Sequence, residues 1–223
     1  MTECYGVYDS PHDVEFSTYS TKVVVKCNHV SGVNIFYSPG SVLPNWYFRK
    51  FSSALNSNYY LASREWNYKS IRPKILVEEF LESSDPLMDY RFLCFDGTVK
   101  AVFIDKDTAQ DSGLHNPDAV RKVYDPEFNL LPIKVGRNNY DATDLIKPDR
   151  WADIIAIAET LSKRFPFCRV DLYNIDGRIV FGEMTFYPGG CCQNVEPQEW
   201  DVKFGSYIDL NSKNIVLKRT SEM

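Results

Sequence analysis

The sequence predicts an α+β protein whose sheets are largely antiparallel. Short apolar runs, which are typical of strands, alternate along the 223 residues with two segments of helical periodicity. Two pairs of neighbouring runs are joined by Asp-Gly, which is typical of a hairpin turn. Apolar residues make up 44% of the chain, and a chain of this length can bury a sizeable core.

Two segments are predicted to form amphipathic helices. The first follows Pro44, where Phe48, Phe51 and Leu55 recur at the spacing of one helix face. The second extends from about residue 148 to residue 164. Its apolar stripe consists of Trp151, Ile154, Ile155, Ala158 and Leu161.

Seven apolar runs are predicted to form strands. They span residues 23–25, 33–37, 75–77, 91–95, 99–104, 169–173 and 178–181. Asp-Gly pairs at 96–97 and 176–177 connect the last four runs into two hairpins. Residues 105–118 are expected to form a long loop, and loops of this length are frequently functional.

Charge and composition exclude several classes of protein. The 25 basic and 30 acidic residues give a net charge of -5, so we expect no nucleic-acid partner. The chain contains no run of 18 apolar residues and no leader pattern near Met1, which predicts a cytoplasmic protein without a transmembrane segment. Its six cysteines are expected to stay reduced, because a chain of this size does not need disulfides to fold.

The hairpin around residues 176–177 carries a carboxylate on each arm. A two-residue loop would send Asp171 and Glu183 to opposite faces of the sheet. A three-residue loop, from Ile175 to Gly177 with a left-handed glycine, would bring both carboxylates to one face. We therefore predict the three-residue loop.

Four side chains would share that face: Arg169, Asp171, Glu183 and Thr185. Two facing carboxylates can bind a hard divalent cation such as magnesium, and a neighbouring guanidinium can neutralise a phosphoryl group. An Arg169–Glu183 salt bridge beside a solvated Asp171 is the alternative interpretation. The spacing does not decide between the two.

Two further motifs could bind a nucleotide. Lys26 ends an apolar strand before a short polar loop, which can place a charge and backbone donors on phosphates. The run from Ile75 into Glu78, Glu79, Phe80 and Leu81 ends a strand beside apolar side chains, which suits adenine. An ordinary hairpin and a solvated acidic turn are the respective alternatives.

Taken together, these motifs resemble the TupA-like ATP-grasp family of bacterial surface-polysaccharide and teichuronopeptide biosynthesis. The resemblance covers nearly the whole chain. It is carried by residues 6–10, 25–29 with 31–32, 64–69, 77–81, 89–92, 169–173 and 182–190.

The resemblance implies an ATP-grasp fold, in which two α+β subdomains with largely antiparallel sheets clasp a nucleotide. Residues 1–87 would form the N-terminal subdomain with the phosphate loop and the adenine strand, and residues 88–223 the C-terminal subdomain with the metal-binding hairpin. The implied cofactors are ATP and Mg²⁺. The implied activity is that of a carboxylate-amine ligase, which joins a small-molecule or glycan carboxylate to an amine through an acyl phosphate.

The resemblance also implies roles for individual residues. Lys26 and Arg169 would act on the phosphates as catalytic residues, with Arg169 at the γ-phosphate. The other expected nucleotide-binding residues are Asn28, Ser31 and Gly32 in the loop and Glu78, Glu79, Phe80 and Leu81 at the strand end. The expected metal ligands are Asp171, Glu183 and Thr185, the last standing where many ATP-grasp enzymes have asparagine.

Two other functions are compatible with the sequence. A retained ATP-grasp fold could bind nucleotide without turnover. A polysaccharide glycosyltransferase could bind metal through Asp105 and Asp107, although no nucleotide-binding Rossmann pattern precedes them. Because relatives carry a further N-terminal segment, we also expect either a truncated form or a completing subunit, which a homo-oligomer could supply.

Overall fold

The computed structural model describes residues 1–84, 87–141 and 145–210. Residues 1–84 and 107–117 pack as one unit, and the other described residues pack as a second unit. Residues 107–117 therefore belong with the N-terminal unit although they lie in the second half of the chain. Their contact is with one strand of that unit, since the Phe36 amide donates to the Ser112 carbonyl at 3.1 Å.

The first unit is a four-stranded antiparallel sheet with short helices. Its strands are β1 (Cys4–Tyr8), β2 (Val23–Cys27), β3 (Asn34–Tyr37) and β4 (Ile75–Glu79), in the spatial order β1-β4-β2-β3. Its helices are α1 (Tyr47–Leu55) and α2 (Tyr59–Ser63). Turns of 3-10 helix occupy Phe16–Thr18 and Trp66–Tyr68.

The core of this unit lies between one face of the sheet and α1. Val23 and Val25 alternate inward along β2 and are fully buried, as are Tyr47 and Phe51 of α1. The predicted helix is confirmed, but its buried stripe starts at Tyr47, and Phe48 is 40% exposed. Positions 47, 51 and 54 and positions 48, 51 and 55 both follow the helical period, so the spacing alone does not distinguish the two stripes.

The second unit is a six-stranded antiparallel sheet with two helices. In chain order its elements are β5 (Asp89–Phe95), β6 (Thr98–Lys106), β7 (Val120–Tyr124), β8 (Leu130–Leu131), β9 (Lys134–Val135), α3 (Trp151–Ser162), β10 (Phe167–Ile175), β11 (Arg178–Thr185), β12 (Val195–Glu196) and α4 (Gln198–Ser206). The spatial order of the large sheet is β11-β10-β5-β6-β7-β8, and β9 pairs with β12. A 3-10 turn spans Pro188–Cys191.

The two faces of the six-stranded sheet pack against different helices. Trp151, Ile154 and Ala158 of α3 pack on one face in a cluster with Phe92 of β5. On the opposite face, Phe204 of α4 packs in a second apolar cluster. The same face also carries charged side chains, and they form the candidate site described below.

The α+β class, the antiparallel sheets and both predicted helices are confirmed. Sequence patterns missed β1, β7, β8, β9, β12, α2 and α4, none of which shows a clean apolar period. All six cysteines are free thiols in the structure. Within residues 1–84, 87–141 and 145–210, no helix combines the length and apolar character needed to cross a membrane.

Candidate functional site

The hairpin of β10 and β11 turns through two residues, Asp176 and Gly177. Ile175 pairs with Arg178, and the φ angles of the two turn residues are 49° and 84°. Two successive positive φ angles define the turn type that matches the twist of antiparallel strands, and aspartate tolerates this conformation. The prediction of a three-residue loop is therefore wrong.

A β-bulge nevertheless brings the two carboxylates to one face. Leu172 pairs with Phe181, but Asp171 pairs with Glu183, so Gly182 is an extra residue in β11. A Cβ atom at position 182 would lie 3.0 Å from the Tyr173 ring and 3.1 Å from the Asp171 carbonyl oxygen. Glycine thus allows the close approach that resets the register and aligns the carboxylates.

Arg169 bridges both carboxylates. Its Nε and Nη2 donate to the two carboxylate oxygens of Asp171, both at 2.7 Å. Nη2 also donates to Glu183 Oε1 at 2.8 Å and to Thr185 Oγ1 at 3.0 Å. The structure thus brings together all four residues predicted for this face, and it contains the Arg169–Glu183 salt bridge of the alternative interpretation.

The two carboxylates differ sharply in environment. Asp171 is 5% exposed, whereas the Glu183 side chain is 58% exposed. Burial raises the pKa of Asp171 to about 6, although the charges of Arg169 and Arg91 oppose that change. A bound cation would favour the ionised form of Asp171.

The donor set fits magnesium in its chemistry. Carboxylate and hydroxyl oxygens are hard ligands, and Mg²⁺ commonly takes one or two protein carboxylates and fills its other positions with phosphate and water oxygens. In the described part of the chain, no cluster of three or more acidic, histidine or cysteine side chains could hold a metal by itself. A metal bound here would therefore need oxygens from a ligand.

The charged face extends beyond the predicted residues. Arg91 lies 3.9 Å from Asp171 Oδ2, 3.3 Å from Asp89 Oδ2 and 3.1 Å from Asp105 Oδ2. The Tyr173 hydroxyl hydrogen-bonds Asp89, and the charge of Asp89 together with burial raises the Tyr173 pKa. The sequence contains a signal for this extension of the charged face. Residues two apart on a strand share a face, as Asp89 and Arg91 do.

Asp105 anchors this extension. Arg121 binds it through two nitrogens at 2.6 and 2.7 Å, and Arg137 donates to it at 3.0 Å. Burial of Asp105 favours its neutral form, but the hydrogen bond and charge of Arg121 outweigh that effect and lower its pKa. Asp105 is fully buried, so its carboxylate serves these arginines and does not fit the metal site that a glycosyltransferase would need.

In the first unit, Lys26 and Glu78 form an ion pair. They lie on the sheet face opposite the core, and Lys26 Nζ is 2.7 Å from Glu78 Oε2. The Lys26 side chain is 40% exposed and that of Glu78 13%. Two residues that the sequence assigns to nucleotide binding are therefore in direct contact.

Hydrogen bonds fix the base of the loop after Lys26, and the tip of this loop is exposed. The Asn28 side chain donates to the Arg72 carbonyl at 3.1 Å and accepts from the Lys74 amide at 2.8 Å. Buried His29 hydrogen-bonds the Ala54 carbonyl oxygen at 2.8 Å, so this histidine is structural. Ser31 and Gly32 are exposed at the tip.

Gly32, at the tip of this loop, has a left-handed backbone conformation. Gly32 has a φ of 74°, and nothing lies within 4 Å of the position that a Cβ atom would occupy. A side chain there would meet backbone strain but no neighbour. The exposed backbone of Ser31 and Gly32 can therefore approach a phosphate group closely.

The strand end predicted for adenine has an aromatic surface. The Phe80 and Phe36 rings meet edge to face with centroids 5.0 Å apart, and Lys22 Nζ lies 3.9 Å from the Phe80 ring centroid. The Glu79 amide donates to the Glu3 carbonyl at 2.9 Å. Leu81 follows as a half-buried residue.

One family model matches the chain. It is described as TupA-like ATPgrasp and matches residues 4–209, nearly the whole sequence. Among curated proteins, no significant match was found.

Three solved structures are similar. An L-amino acid ligase from Bacillus licheniformis is 15% identical, with a TM-score of 0.47, over 81% of this chain and 37% of its own. D-alanine–D-alanine ligase from Bacillus anthracis is 13% identical, with a TM-score of 0.50, over 93% of this chain and 60% of its own. The ATP-grasp ligase PsnB, complexed with a minimal precursor, is 11% identical, with a TM-score of 0.40, over 81% of this chain and 44% of its own.

The family match and one of these structures confirm the predicted fold. The similarity to D-alanine–D-alanine ligase extends over most of this chain and identifies an ATP-grasp fold. The chain spans 37% of the L-amino acid ligase and 60% of the D-alanine–D-alanine ligase.

Proposed function

The chain belongs to the TupA-like ATP-grasp family, and from that membership we propose that it is an ATP- and magnesium-dependent carboxylate-amine ligase. The observation that carries the proposal is the pairing of Asp171 with Glu183, with Arg169 bonded to both. Two hard ligands that can hold magnesium and a fixed guanidinium on one sheet face suit the charge that develops in phosphoryl transfer.

We assign the metal to the hairpin of the second unit. Asp171 and Glu183 would be its charged ligands and Thr185 a neutral one, as the resemblance implies. When bound, magnesium would neutralise the phosphate oxygens and orient them. Arg169 donates to the same carboxylate oxygens, so a bound metal would compete with the guanidinium for them.

We assign the nucleotide to residues of the first unit. Lys26 supplies a point charge for the phosphates, and the exposed loop of Ser31 and Gly32 supplies backbone donors. Adenine would lie along the strand end of Glu78, Glu79, Phe80 and Leu81, where the Phe80 ring offers an apolar wall. Asn28 supports the phosphate loop through its two side-chain hydrogen bonds.

The proposed reaction has two displacements. A carboxylate oxygen of the acid attacks the γ-phosphorus of ATP, the bond to the leaving ADP oxygen breaks, and an acyl phosphate forms. The amine nitrogen then attacks the acyl carbon, the bond to the phosphate oxygen breaks, and phosphate leaves as the amide forms and the amine loses a proton. Arg169 stabilises the charge on the transferring group.

The substrates follow from the resemblance alone. We propose a small-molecule or glycan carboxylate that belongs to a bacterial surface polysaccharide or its precursor, and a reaction in the cytoplasm. Because the chain spans only part of the similar ligases, we also propose that a further segment, a completing subunit or a second copy contributes to the complete enzyme.

A nucleotide screen tests the ligase directly. We expect ADP release from ATP only when both a carboxylic acid and an amine are present, each drawn from a panel of sugar acids, amino acids and small amines. Binding of ATP without ADP release under any combination would favour a nucleotide-binding protein. Release of UDP from a UDP-sugar would favour a glycosyltransferase.

A further inference from the structure

Three guanidinium groups surround one carboxylate oxygen in the second unit. Asp105 Oδ2 lies 2.7 Å from Arg121 Nη2, 3.0 Å from Arg137 Nη1 and 3.1 Å from Arg91 Nε. Because all three nitrogens contact the same atom, Arg91 and Arg137 lie close to each other. Like charges at this separation repel unless anions compensate them.

The compensation is incomplete at Arg137. Arg121 takes both oxygens of Asp105, and Arg91 has a second partner in Asp89. Among the described residues, the ion pair of Arg137 is with Asp105 only. Burial and the charges of Arg91 and Arg121 lower the pKa of Arg137, despite the opposing effect of Asp105.

Arg91 and Arg137 are also partly exposed to solvent. The Arg91 and Arg137 side chains are each 16% exposed, whereas Arg121 is 2% exposed. Buried Arg91 Nε makes no hydrogen bond of acceptable geometry, although it lies close to Asp105. Both guanidinium groups therefore retain donors beyond those that Asp105 uses.

A turn fixes the position of Arg137. The Arg137 amide donates to the Val135 carbonyl at 2.7 Å, and Gly136 between them has a φ of 65°. A Cβ atom at position 136 would lie 2.9 Å from the Gln193 side chain. The backbone before Arg137 is therefore held in a tight turn against Gln193.

We propose that Arg137, with Arg91 beside it, binds a planar or tetrahedral oxyanion of the acid substrate, and that Asp105 positions both guanidinium groups. The shared chemistry is that of a carboxylate or a phosphate, because the flat fork of arginine matches either group through paired hydrogen bonds. The assignment to the acid substrate rests on the proposed ligase function. The oxyanion site itself rests only on the arginine cluster.

Binding of simple anions to the full chain tests the site. We measure the affinity of inorganic phosphate and of acetate by calorimetry for the wild type, Arg137→Gln and Arg137→Lys. The control is Arg164→Gln, which removes the same charge from an exposed arginine of the same unit. We expect Arg137→Gln to weaken binding of one anion at least tenfold and Arg137→Lys to restore only part of it.

The anion that responds identifies the ligand chemistry. Loss of acetate binding indicates a carboxylate subsite, and loss of phosphate binding alone indicates a phosphate subsite. Equal affinities in Arg137→Gln and Arg164→Gln for both anions would overturn the proposal. In the wild type we also expect the Arg137 side-chain NH signal to shift during the titration, and an unchanged signal would contradict the proposal.

The positioning role of Asp105 has its own test. We expect Asp105→Asn to weaken binding of the same anion as Arg137→Gln does, and Asp105→Glu to recover part of the affinity. Retained affinity in a folded Asp105→Asn protein would overturn this role. If Asp105→Asn does not fold, the positioning role of Asp105 is tested with Asp105→Glu and with the NMR titration of the wild type.

Different experimental outcomes would contradict the proposed function and the proposed anion site. If the chain is a ligase, Arg137→Gln should raise KM for the acid and leave KM for ATP unchanged. Normal KM for the acid together with unchanged anion binding would contradict the inference and leave the ligase intact. Absence of ADP release from the wild type would contradict the ligase, while the anion titration would still decide the site.

Discussion

Asp171 and Glu183 pair directly across the β10–β11 hairpin, although a regular ladder from its two-residue turn would put them on opposite faces. The bulge at Gly182 shifts the register by one residue and restores the shared face. The geometry of the proposed metal site therefore depends on a glycine in the strand rather than on the turn. This relationship leads to a pair of matched substitutions.

Gly182→Val should impair the site more than the fold. The new Cβ would lie 3.1 Å from the Asp171 carbonyl oxygen and 3.0 Å from the Tyr173 ring, so these neighbours must give way by a few tenths of an ångström, and we expect the bulge and Glu183 to shift with them. We expect ADP release to fall at least tenfold while the far-UV spectrum stays that of a folded protein. Normal turnover in this variant would show that the bulge does not set the site.

Gly177→Val is the matched control in the same hairpin. Gly177 has a φ of 84° and no neighbour near its Cβ position, so a side chain there meets only backbone strain. We expect a loss of about 1 to 2 kcal/mol in unfolding free energy. Turnover per folded molecule should remain close to that of the wild type, because the register beyond the turn is set at Gly182.

Lys26 and Glu78 should have opposite effects on nucleotide affinity. Lys26→Ala removes the charge proposed for the phosphates and should weaken ATP binding by about 10- to 150-fold. Glu78→Gln removes the present partner of Lys26 and should strengthen ATP binding by up to about fivefold, the value of a weak ion pair. Calorimetry with Lys69→Ala as the control measures both, and equal affinities in Lys26→Ala and the control would make this lysine structural.

Arg169 should compete with metal and yet be required for turnover. Its guanidinium bonds the same oxygens that are proposed as metal ligands, so Arg169→Met should bind Mn²⁺ more tightly in the absence of nucleotide. ADP release should fall by about a thousandfold, because the charge at the transferring phosphoryl group is lost. Paramagnetic resonance of Mn²⁺ measures the first effect, and weaker metal binding in Arg169→Met would refute the competition.

Asp105 should link stability to acid pH. Its pKa is lowered in the folded protein, so the folded state binds fewer protons than the unfolded state between the two pKa values. The stabilisation is complete above the unfolded pKa of about 3.9 and is lost as the pH falls through the lowered folded value. Asp105→Asn should cost about 3 to 5 kcal/mol at neutral pH, because three arginines lose their anion.

Urea unfolding of both proteins at several pH values measures this effect. The difference in unfolding free energy between the wild type and Asp105→Asn should shrink below about pH 4. A difference that does not change down to pH 3 would show that Asp105 does not ionise as the ion pairs imply.

Local patterns predicted the fold because strands and helices leave periodic signals. The sequence could identify Lys26, Arg169 and Asp171 as candidate site residues because each lies at a recognisable position on a predicted strand. The bulge could not be predicted, since no local pattern marks Gly182 until the Asp171 carbonyl oxygen is placed against it. The contacts of Asp105 with Arg121 and Arg137 were equally hidden, because they join three segments through tertiary packing.

Magnesium-dependent ADP release by the wild type and Glu183→Gln tests the central claim most directly. Glu127→Gln, an exposed glutamate of the same unit, is the matched control. The account predicts that, with an acid and an amine present, the wild type and Glu127→Gln release ADP only with Mg²⁺, and that Glu183→Gln loses this release while remaining folded. Wild-type rates in Glu183→Gln, with the same dependence on Mg²⁺, would contradict the account.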